Sequence, residues 1–257
     1  MFPLRDDNPH FLTPYVTYGL IIANVLVWLL VQGLGFEPSL PRSVCLLGLI
    51  PGELTGAAPA GSSFPIGPLT VCVIGPDGAW QNLLTYMFLH GSWLHIVFNM
   101  WFLWIFGNNV EDSMGHWRFA VFYLLCGVLA AAAQVISATD SISPIVGASG
   151  AIGGVMGAYI VLYPRVNVHL LILAGFIVTT FAVPAIWMLG YWFLLQLISG
   201  VAADSATGGV AFWAHAGGFI AGVVLIPLFR KPELVARHPY HGWKPRAGVP
   251  RSWRRIH

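Results

Sequence analysis

The clearest chemical potential in this chain belongs to a serine and a histidine set in apolar, glycine-rich surroundings. Ser149 lies in the stretch Gly147-Ala148-Ser149-Gly150-Ala151-Ile152-Gly153-Gly154, which opens an apolar segment running to Tyr163. His215 is the lone histidine of a second apolar segment, Val210 to Phe229. A serine hydroxyl becomes a nucleophile when a neighbouring base takes its proton, so the two facing each other would form a hydrolytic site. A third cluster precedes them, with His90, His95 and Asn99 in the run His90-Gly91-Ser92-Trp93-Leu94-His95-Ile96-Val97-Phe98-Asn99. His95 and Asn99 are four apart and share a helix face. Donors on that face, with the Ser149 backbone N–H, would form an oxyanion hole at a reacting carbonyl.

Each of these has a plainer alternative. A glycine-rich helix is usually a packing helix, and a serine in it is usually small filler. A membrane histidine can serve a proton path or a structural hydrogen bond, and His95 and Asn99 can bond one another or a nearby loop. No carboxylate is placed to complete a triad: Glu111 and Asp112 fall a membrane thickness from Ser149, and Asp140 and Asp204 fall in loops. The scheme is therefore a dyad whose histidine must be oriented by some other group. His90 and His95 are five apart, off the i, i+4 geometry of a helical zinc pair, and no metal or other cofactor is expected.

The elements that position these residues are membrane spans. The chain is 57% hydrophobic and 9% charged, where soluble domains carry about a quarter charged residues. The apolar runs are continuous rather than alternating, which predicts an all-α polytopic helical bundle and not a β-barrel. The first apolar run lacks a small-residue cleavage site and reads as a retained span. Six spans are expected at roughly 15–33, 83–107, 118–138, 148–164, 183–200 and 209–229, at about 20 residues per crossing. A long outer loop, 34–82, separates the first two. The segment Val168 to Thr180 is apolar but interrupted; an interfacial or re-entrant piece is favoured over a seventh span. The organisation is thus an N-terminal segment 1–14, a membrane domain 15–229 and a basic tail 230–257.

With the N-terminus inside, eleven of the twelve Lys and Arg residues fall on the cytoplasmic side and only Arg42 falls outside. This is a strong positive-inside pattern. It places a multi-pass protein in a plasma (inner) membrane with both termini cytoplasmic. Ser149 precedes Arg165 by 16 residues and His215 precedes Arg230 by 15. At 1.5 Å per residue both stand about 23 Å above the inner boundary, so they share a depth nearer the outer face. Gly153/Gly157 and Gly218/Gly222 are small-xxx-small pairs that let two helix backbones approach closely. The polar residues expected within the spans are Asn24, His90, His95, Asn99, Gln134, Ser149, Gln196 and His215.

At these residues the chain resembles the rhomboid family of intramembrane serine proteases. Gly147-Ala148-Ser149-Gly150 is similar to that family's Gly-x-Ser-Gly nucleophile motif. Ala214-His215-Ala216-Gly217-Gly218-Phe219-Ile220-Ala221-Gly222 is similar to its Ala-His-x-x-Gly-x-x-x-Gly motif. His90 with His95-x-x-x-Asn99 resembles its second-helix signature, and Glu111 with Gly115-His116-Trp117-Arg118-Phe119 its turn between the second and third helices. The likeness covers roughly 15–229. It implies Ser149 as nucleophile and His215 as general base, with His90, Asn99 and the Ser149 backbone lining the oxyanion site. It implies His95 as a structural or water-holding residue, and Glu111 and Arg118 as ties between helix ends. Gly147, Gly150, Gly218 and Gly222 are structural residues near the site. One departure stands out: where the family often has Trp-Arg ahead of His90, this chain has Gln81 and Asn82, preceded by Trp80. The departure bears on anchoring of the outer loop, not on catalysis.

The expected activity is hydrolysis of peptide bonds in or near transmembrane segments of membrane-protein substrates, which the resemblance implies enter laterally beside the fifth span. Its aromatic residues Trp187, Trp192 and Phe193 read equally well as lipid-facing. A non-catalytic rhomboid-like protein that binds membrane clients is the alternative; the intact Ser149 and His215 argue against it. A transporter or proton channel is disfavoured by the lack of buried carboxylates and of an internal repeat. Half-submerged hairpin structure is expected in the outer loop. Cys45 and Cys72, both in that loop, either form a disulfide or remain two small apolar residues, and Cys126 reads as filler. The tail, with eight basic residues, Trp243 and Trp253, fits anionic lipid better than nucleic acid because it directly follows a span.

Overall fold

A computed structural model describes residues 2–174, 177–202 and 211–238. The loop expected to hold Asp204, beyond residue 202, and the tail beyond residue 238 with Trp243 and Trp253, lie outside the described residues. In chain order the elements are β1 (Phe2–Asp6), α1 (Tyr15–Leu30), α2 (Ser39–Leu47), α3 (Pro51–Thr55), β2 (Ser63–Pro65), β3 (Val71–Val73), α4 (Asn82–Thr85), α5 (Trp93–Met114), α6 (His116–Ser137), α7 (Ser149–Leu162), β4 (Asn167–Ala174), β5 (Ile177–Pro184), α8 (Ala185–Ala202), α9 (Phe212–Phe229) and α10 (Pro232–Arg237). The fold is a polytopic helical bundle. α6, α8 and α9 are long and apolar enough to cross a membrane, and α1 and α7 are shorter apolar helices.

Two expectations are corrected. The second long helix begins at Trp93, ten residues later than the apolar run suggests, because Ser92 is extended (φ −165°, ψ 166°) and its Oγ accepts the His95 N–H at 3.2 Å. That is an N-cap, and it leaves His90 in a loop rather than on a helix. The helix then runs past 107 to Met114 and stops at Gly115, whose φ of +80° suits glycine. The segment 168–180 is not a helical span but two strands. β4 and β5 form an antiparallel hairpin, and β1 pairs with β4 to complete a three-stranded sheet, so a small β-layer joins the helices.

α7, α9 and α6 form the centre. A Cβ on Gly218 would fall on the Gly150 carbonyl, one on Gly222 on the Gly154 carbonyl, and one on Gly157 on the Phe219 carbonyl. A Cβ on Gly153 would lie 2.9 Å from the His215 carbonyl oxygen. On the other side, a Cβ on Gly150 would lie 2.7 Å from that of Ala130, and one on Gly154 would meet the Cys126 side chain. The helices touch backbone to backbone because neither carries side chains there. In lipid, where apolar residues gain nothing by leaving the solvent, such contact is what holds helices together.

The ends of the bundle are tied by polar groups. The Glu111 carboxylate accepts from Val16 N (3.0 Å), Thr17 N (2.9 Å) and Thr17 Oγ1 (2.7 Å), and Asp112 accepts from Phe11 N (2.7 Å) and Leu12 N (2.9 Å). Glu111 thus satisfies free N–H groups in the first turn of α1, where the helix dipole also favours negative charge, while Asp112 holds the segment that leads into it. Arg118 donates to the Phe229 carbonyl at 3.1 Å, joining α6 to the end of α9. Asp6, the last residue of β1, is buried, accepting from Tyr159 Oη and, at 3.1 Å, from Asn109 Nδ2.

At the opposite end the long loop is folded over the bundle. Cys45 and Cys72 are joined as a disulfide linking α2 to β3, and β2 pairs with β3 as a short hairpin. Asn82 is buried and donates to the carbonyls of Leu46 (3.3 Å) and Gly48 (2.8 Å), while Thr85 Oγ1 donates to Leu47 O at 2.7 Å. Asn82 therefore anchors the loop with an amide. A bridge between Leu49 and Ile145 ties the loop to the strand-like approach to Ser149.

Two outcomes follow. Gly218→Val, which places a branched side chain on the Gly150 carbonyl, is expected to lower the melting temperature in detergent by the equivalent of about 1–3 kcal/mol or more. Gly190→Val, where a Cβ meets nothing within 4 Å, should leave it unchanged. Equal effects would refute the backbone-contact account. The second concerns pH. Burial pushes the Asp6 carboxyl up from 3.8 to about 7, so the folded state holds this proton more tightly than the unfolded chain. Its stabilisation is complete below about pH 4 and is lost as pH rises through 7. Melting temperature measured from pH 5 to 8.5 should fall more steeply in the wild type than in Asp6→Asn.

Candidate active site

Ser149 is the first residue of α7, where the leading backbone N–H groups have no intrahelical acceptor and the helix dipole favours negative charge. The turn before it is held by Gly147 N donating to Tyr86 O (2.9 Å), and Tyr86 is itself held by its hydroxyl on Gly127 O (2.7 Å). His215 lies on the first turn of α9, whose start is capped by Gln134: the Ala214 N–H donates to Gln134 Oε1 at 3.1 Å. The glycine contacts between the two helices bring His215 Nε2 to 2.7 Å from Ser149 Oγ. The depth match in the sequence is thus a hydrogen bond in the structure.

Both side chains are half-buried and open onto a cavity of about 570 Å³, also lined by Tyr86, His95, Asn99, Phe102, Gly147, Met156 and Trp192. A serine that sits between apolar helices thus faces open space. His95 and Asn99 both line this cavity. Gly91 N donates to His95 Nδ1 at 3.3 Å, which in a neutral ring leaves the proton on Nε2. A Cβ built on Gly147 would sit 2.7 Å from His95 Nε2 and 3.4 Å from Ser149 Oγ. The empty side-chain position of Gly147 is thus the space between a donor and the hydroxyl. Asn99 Nδ2 is buried with no hydrogen-bond partner among the described residues, a donor left open beside that space.

His90 is placed differently from the expectation that it lines the oxyanion site. It is fully buried, is not part of the cavity wall, and packs edge-on against His95 with ring centroids 5.1 Å apart. Its backbone is clamped by Gln32, which donates to His90 O and accepts from His90 N, both at 2.8 Å. The Ser92 cap explains this: by starting α5 after His90, it turns His95 and Asn99 toward the cavity and leaves His90 behind them. The helix-face spacing points to both residues that meet the cavity, His95 and Asn99, of which the family likeness named Asn99 for the oxyanion site.

Gly150, Gly218 and Gly222 lie in the α7–α9 contact, as described above. Of the remaining intramembrane polar residues, Asn24 donates to its own helix at Leu20 O (2.8 Å). Gln196 on α8 reaches His215: its Oε1 lies 2.8 Å from His215 Nδ1. Sequence reasoning singled out Gln196 as a polar intramembrane residue but assigned it nothing; its spacing from His215 carries no signal without the packing of α8 on α9. Among the described residues, no cluster of three or more His, Cys, Asp or Glu side chains is arranged to hold a metal ion.

Gly147→Ala is expected to leave the melting temperature within a few degrees while abolishing reaction of Ser149 with a serine-directed fluorophosphonate. The methyl group would occupy the space between His95 Nε2 and Ser149 Oγ and strain a backbone with φ of +129°. Normal labelling of this variant would show that the gap is not where the reacting atom sits.

Comparison with known proteins places these features in one frame. A family model described as a rhomboid domain matches residues 77–232. The rhomboid protease GluP of Bacillus subtilis (strain 168) is 40% identical over 91 residues, 35% of this chain and 17% of that protein. RHOMBOID-like protein 6, mitochondrial, of Arabidopsis thaliana is 38% identical over 86 residues, 34% of this chain and 27% of that one. Rhomboid-like protein 11, chloroplastic, of Arabidopsis thaliana is 30% identical over 165 residues, 60% of this chain and 54% of that one. The chain spans at most about half the length of these relatives.

Proposed function

The chain belongs to the rhomboid family, and from that premise we propose that it is an intramembrane serine endopeptidase acting through Ser149 and His215. The observation that carries this reading is the 2.7 Å contact between Ser149 Oγ and His215 Nε2 at a cavity between apolar helices. In the proposed reaction Ser149 Oγ attacks a peptide carbonyl while His215 Nε2 takes the hydroxyl proton. The negative charge that develops on the carbonyl oxygen is met by the Ser149 N–H, by His95 Nε2–H and by Asn99 Nδ2. His215 then returns the proton to the leaving amine nitrogen, leaving an acyl ester on Ser149. Water, deprotonated by the same nitrogen, hydrolyses that ester.

The substrate is a membrane protein cleaved in or just outside a transmembrane segment. A helix in lipid has its carbonyls bonded internally, so small, helix-destabilising residues at the cleaved bond favour attack. Trp192 of α8 lines the cavity, and α8 buries only Ala185, Leu189 and Gly200. A substrate helix entering beside α8 would displace little packed surface. The distribution of basic residues supports cytoplasmic termini and a site facing the outer side of a plasma membrane. The basic tail would then meet anionic lipid.

The test is purified full-length protein in detergent with a labelled single-span substrate, alongside fluorophosphonate labelling. Ser149→Ala and His215→Ala should each cut turnover by about 10⁴-fold or more, as removal of either member of a nucleophile–base pair does. Labelling should vanish in Ser149→Ala. Cleavage that survives Ser149→Ala would sink the nucleophile assignment. A wild type that neither labels nor cleaves would favour a client-binding protein.

A further inference from the structure

We propose that Gln196 is a positioning residue: it holds His215 in the one neutral tautomer that can accept the Ser149 proton. The inference rests on the serine-peptidase reading above and adds a third member to the dyad. A neutral imidazole carries one N–H, and only a ring with its proton on Nδ1 presents a lone pair on Nε2. Ser149 Oγ is 2.7 Å from Nε2 and Gln196 Oε1 is 2.8 Å from Nδ1, so the ring is held between a hydroxyl and an amide.

The orientation of that amide decides the matter. With Oε1 toward His215, Gln196 accepts the Nδ1–H, and Nε2 is left to take the serine proton. With the amide reversed, its NH₂ would donate to Nδ1, the ring proton would sit on Nε2, and His215 could only donate to Ser149. The other end of the amide faces the Trp192 carbonyl, one turn back on α8, at 3.5 Å. A carbonyl oxygen accepts and never donates, so only the NH₂ belongs there. The backbone of α8 thereby selects the amide orientation, and the amide selects the tautomer.

The environment leaves this role to Gln196. Trp192 packs over the ring with centroids 5.9 Å apart and offers it no acceptor. The other titratable side chains at the cavity are His95 of α5 and Tyr86; His95 Nδ1 accepts from Gly91, and the Tyr86 hydroxyl is committed to Gly127 O. When the serine proton moves to Nε2, the ring becomes an imidazolium whose Nδ1–H still donates to Gln196 Oε1. The amide takes no proton; its oxygen faces the new positive charge. Because Gln196 rides on α8, any displacement of that helix from α9 carries the acceptor away from His215.

The experiment compares wild type, Gln196→Met, Gln196→Glu and Ser149→Ala as purified full-length chains in detergent. It reads kcat and KM on a single-span substrate, the fluorophosphonate labelling rate, and ¹⁵N NMR of histidine-labelled protein with His215 assigned by its loss in His215→Ala. Met matches Gln in length without an acceptor, and should lower kcat and labelling on the order of 100-fold with KM unchanged. Loss of the correct tautomer in a serine protease costs at most about 10⁴-fold. The His215 signals should read Nδ1–H in the wild type and shift toward Nε2–H in Gln196→Met. Gln196→Glu, which restores an acceptor, should recover most of the rate. A Gln196→Met protein with wild-type kcat and unshifted His215 signals overturns the proposal. So does a pair of variants equally slow and equally destabilised, which marks a packing role. A wild type that fails to label overturns the peptidase reading instead, and the His215 tautomer remains readable in that protein.

Discussion

The backbone contact between α7 and α9 is the constraint on which the rest of the molecule depends. Gly150 and Gly154 lie against Gly218 and Gly222, and Gly153 and Gly157 against the backbone at His215 and Phe219. No hydrophobic driving force separates these helices from lipid tails, so their association comes from close van der Waals approach and from small residues that permit it. The same contact sets the chemistry. A short serine hydroxyl and an imidazole can hydrogen-bond across two helices only when the backbones nearly touch. Ordinary side chains would separate the helix axes by 8–10 Å and hold the pair apart.

Polar groups in apolar surroundings fall into two uses in this molecule. One is structural satisfaction: Glu111 takes up free amides at the start of α1, Asp112 those of the segment before it, Gln134 caps α9, and Gln32 clamps the backbone at His90. A buried amide without a partner is costly, and more so in lipid than in water. The other use is the reverse, groups left open toward the cavity. Asn99 Nδ2 has no partner among the described residues, and His95 Nε2 lies against the gap at Gly147. Donors fixed by the fold before any charge arrives need no reorganisation when it develops. The cost of keeping them unsatisfied is carried by the tightly packed centre.

The folded loop at the Ser149 end belongs to the same design. The disulfide, the Asn82 amide and the Leu49–Ile145 bridge hold the loop against the approach to Ser149. The turn at Gly147 is fixed from the other side by Tyr86 O.

Much of this was legible in the residues. Composition and continuous apolar runs point to a helical bundle, and the six long apolar stretches correspond to α1, α5, α6, α7, α8 and α9. The equal depth of Ser149 and His215 and the glycine pairs beside them come from counting at a constant rise per residue. The start of α5 was missed because one serine side chain, Ser92, outweighs the hydropathy of the ten residues before it. The β1–β4–β5 sheet was missed because β1 finds its partner more than 160 residues away, and no local pattern announces such a pairing. The choice between His90 and His95 turned on the same cap, and the contact between Gln196 and His215 on how α8 leans against α9. By itself, then, the sequence determined the long apolar helices and which of their faces are bare enough to meet, since these depend on local periodicity and side-chain size. The tertiary structure alone decided which nitrogen faces which oxygen, because a hydrogen bond is directional over about 3 Å and that direction depends on how separate helices rotate against one another.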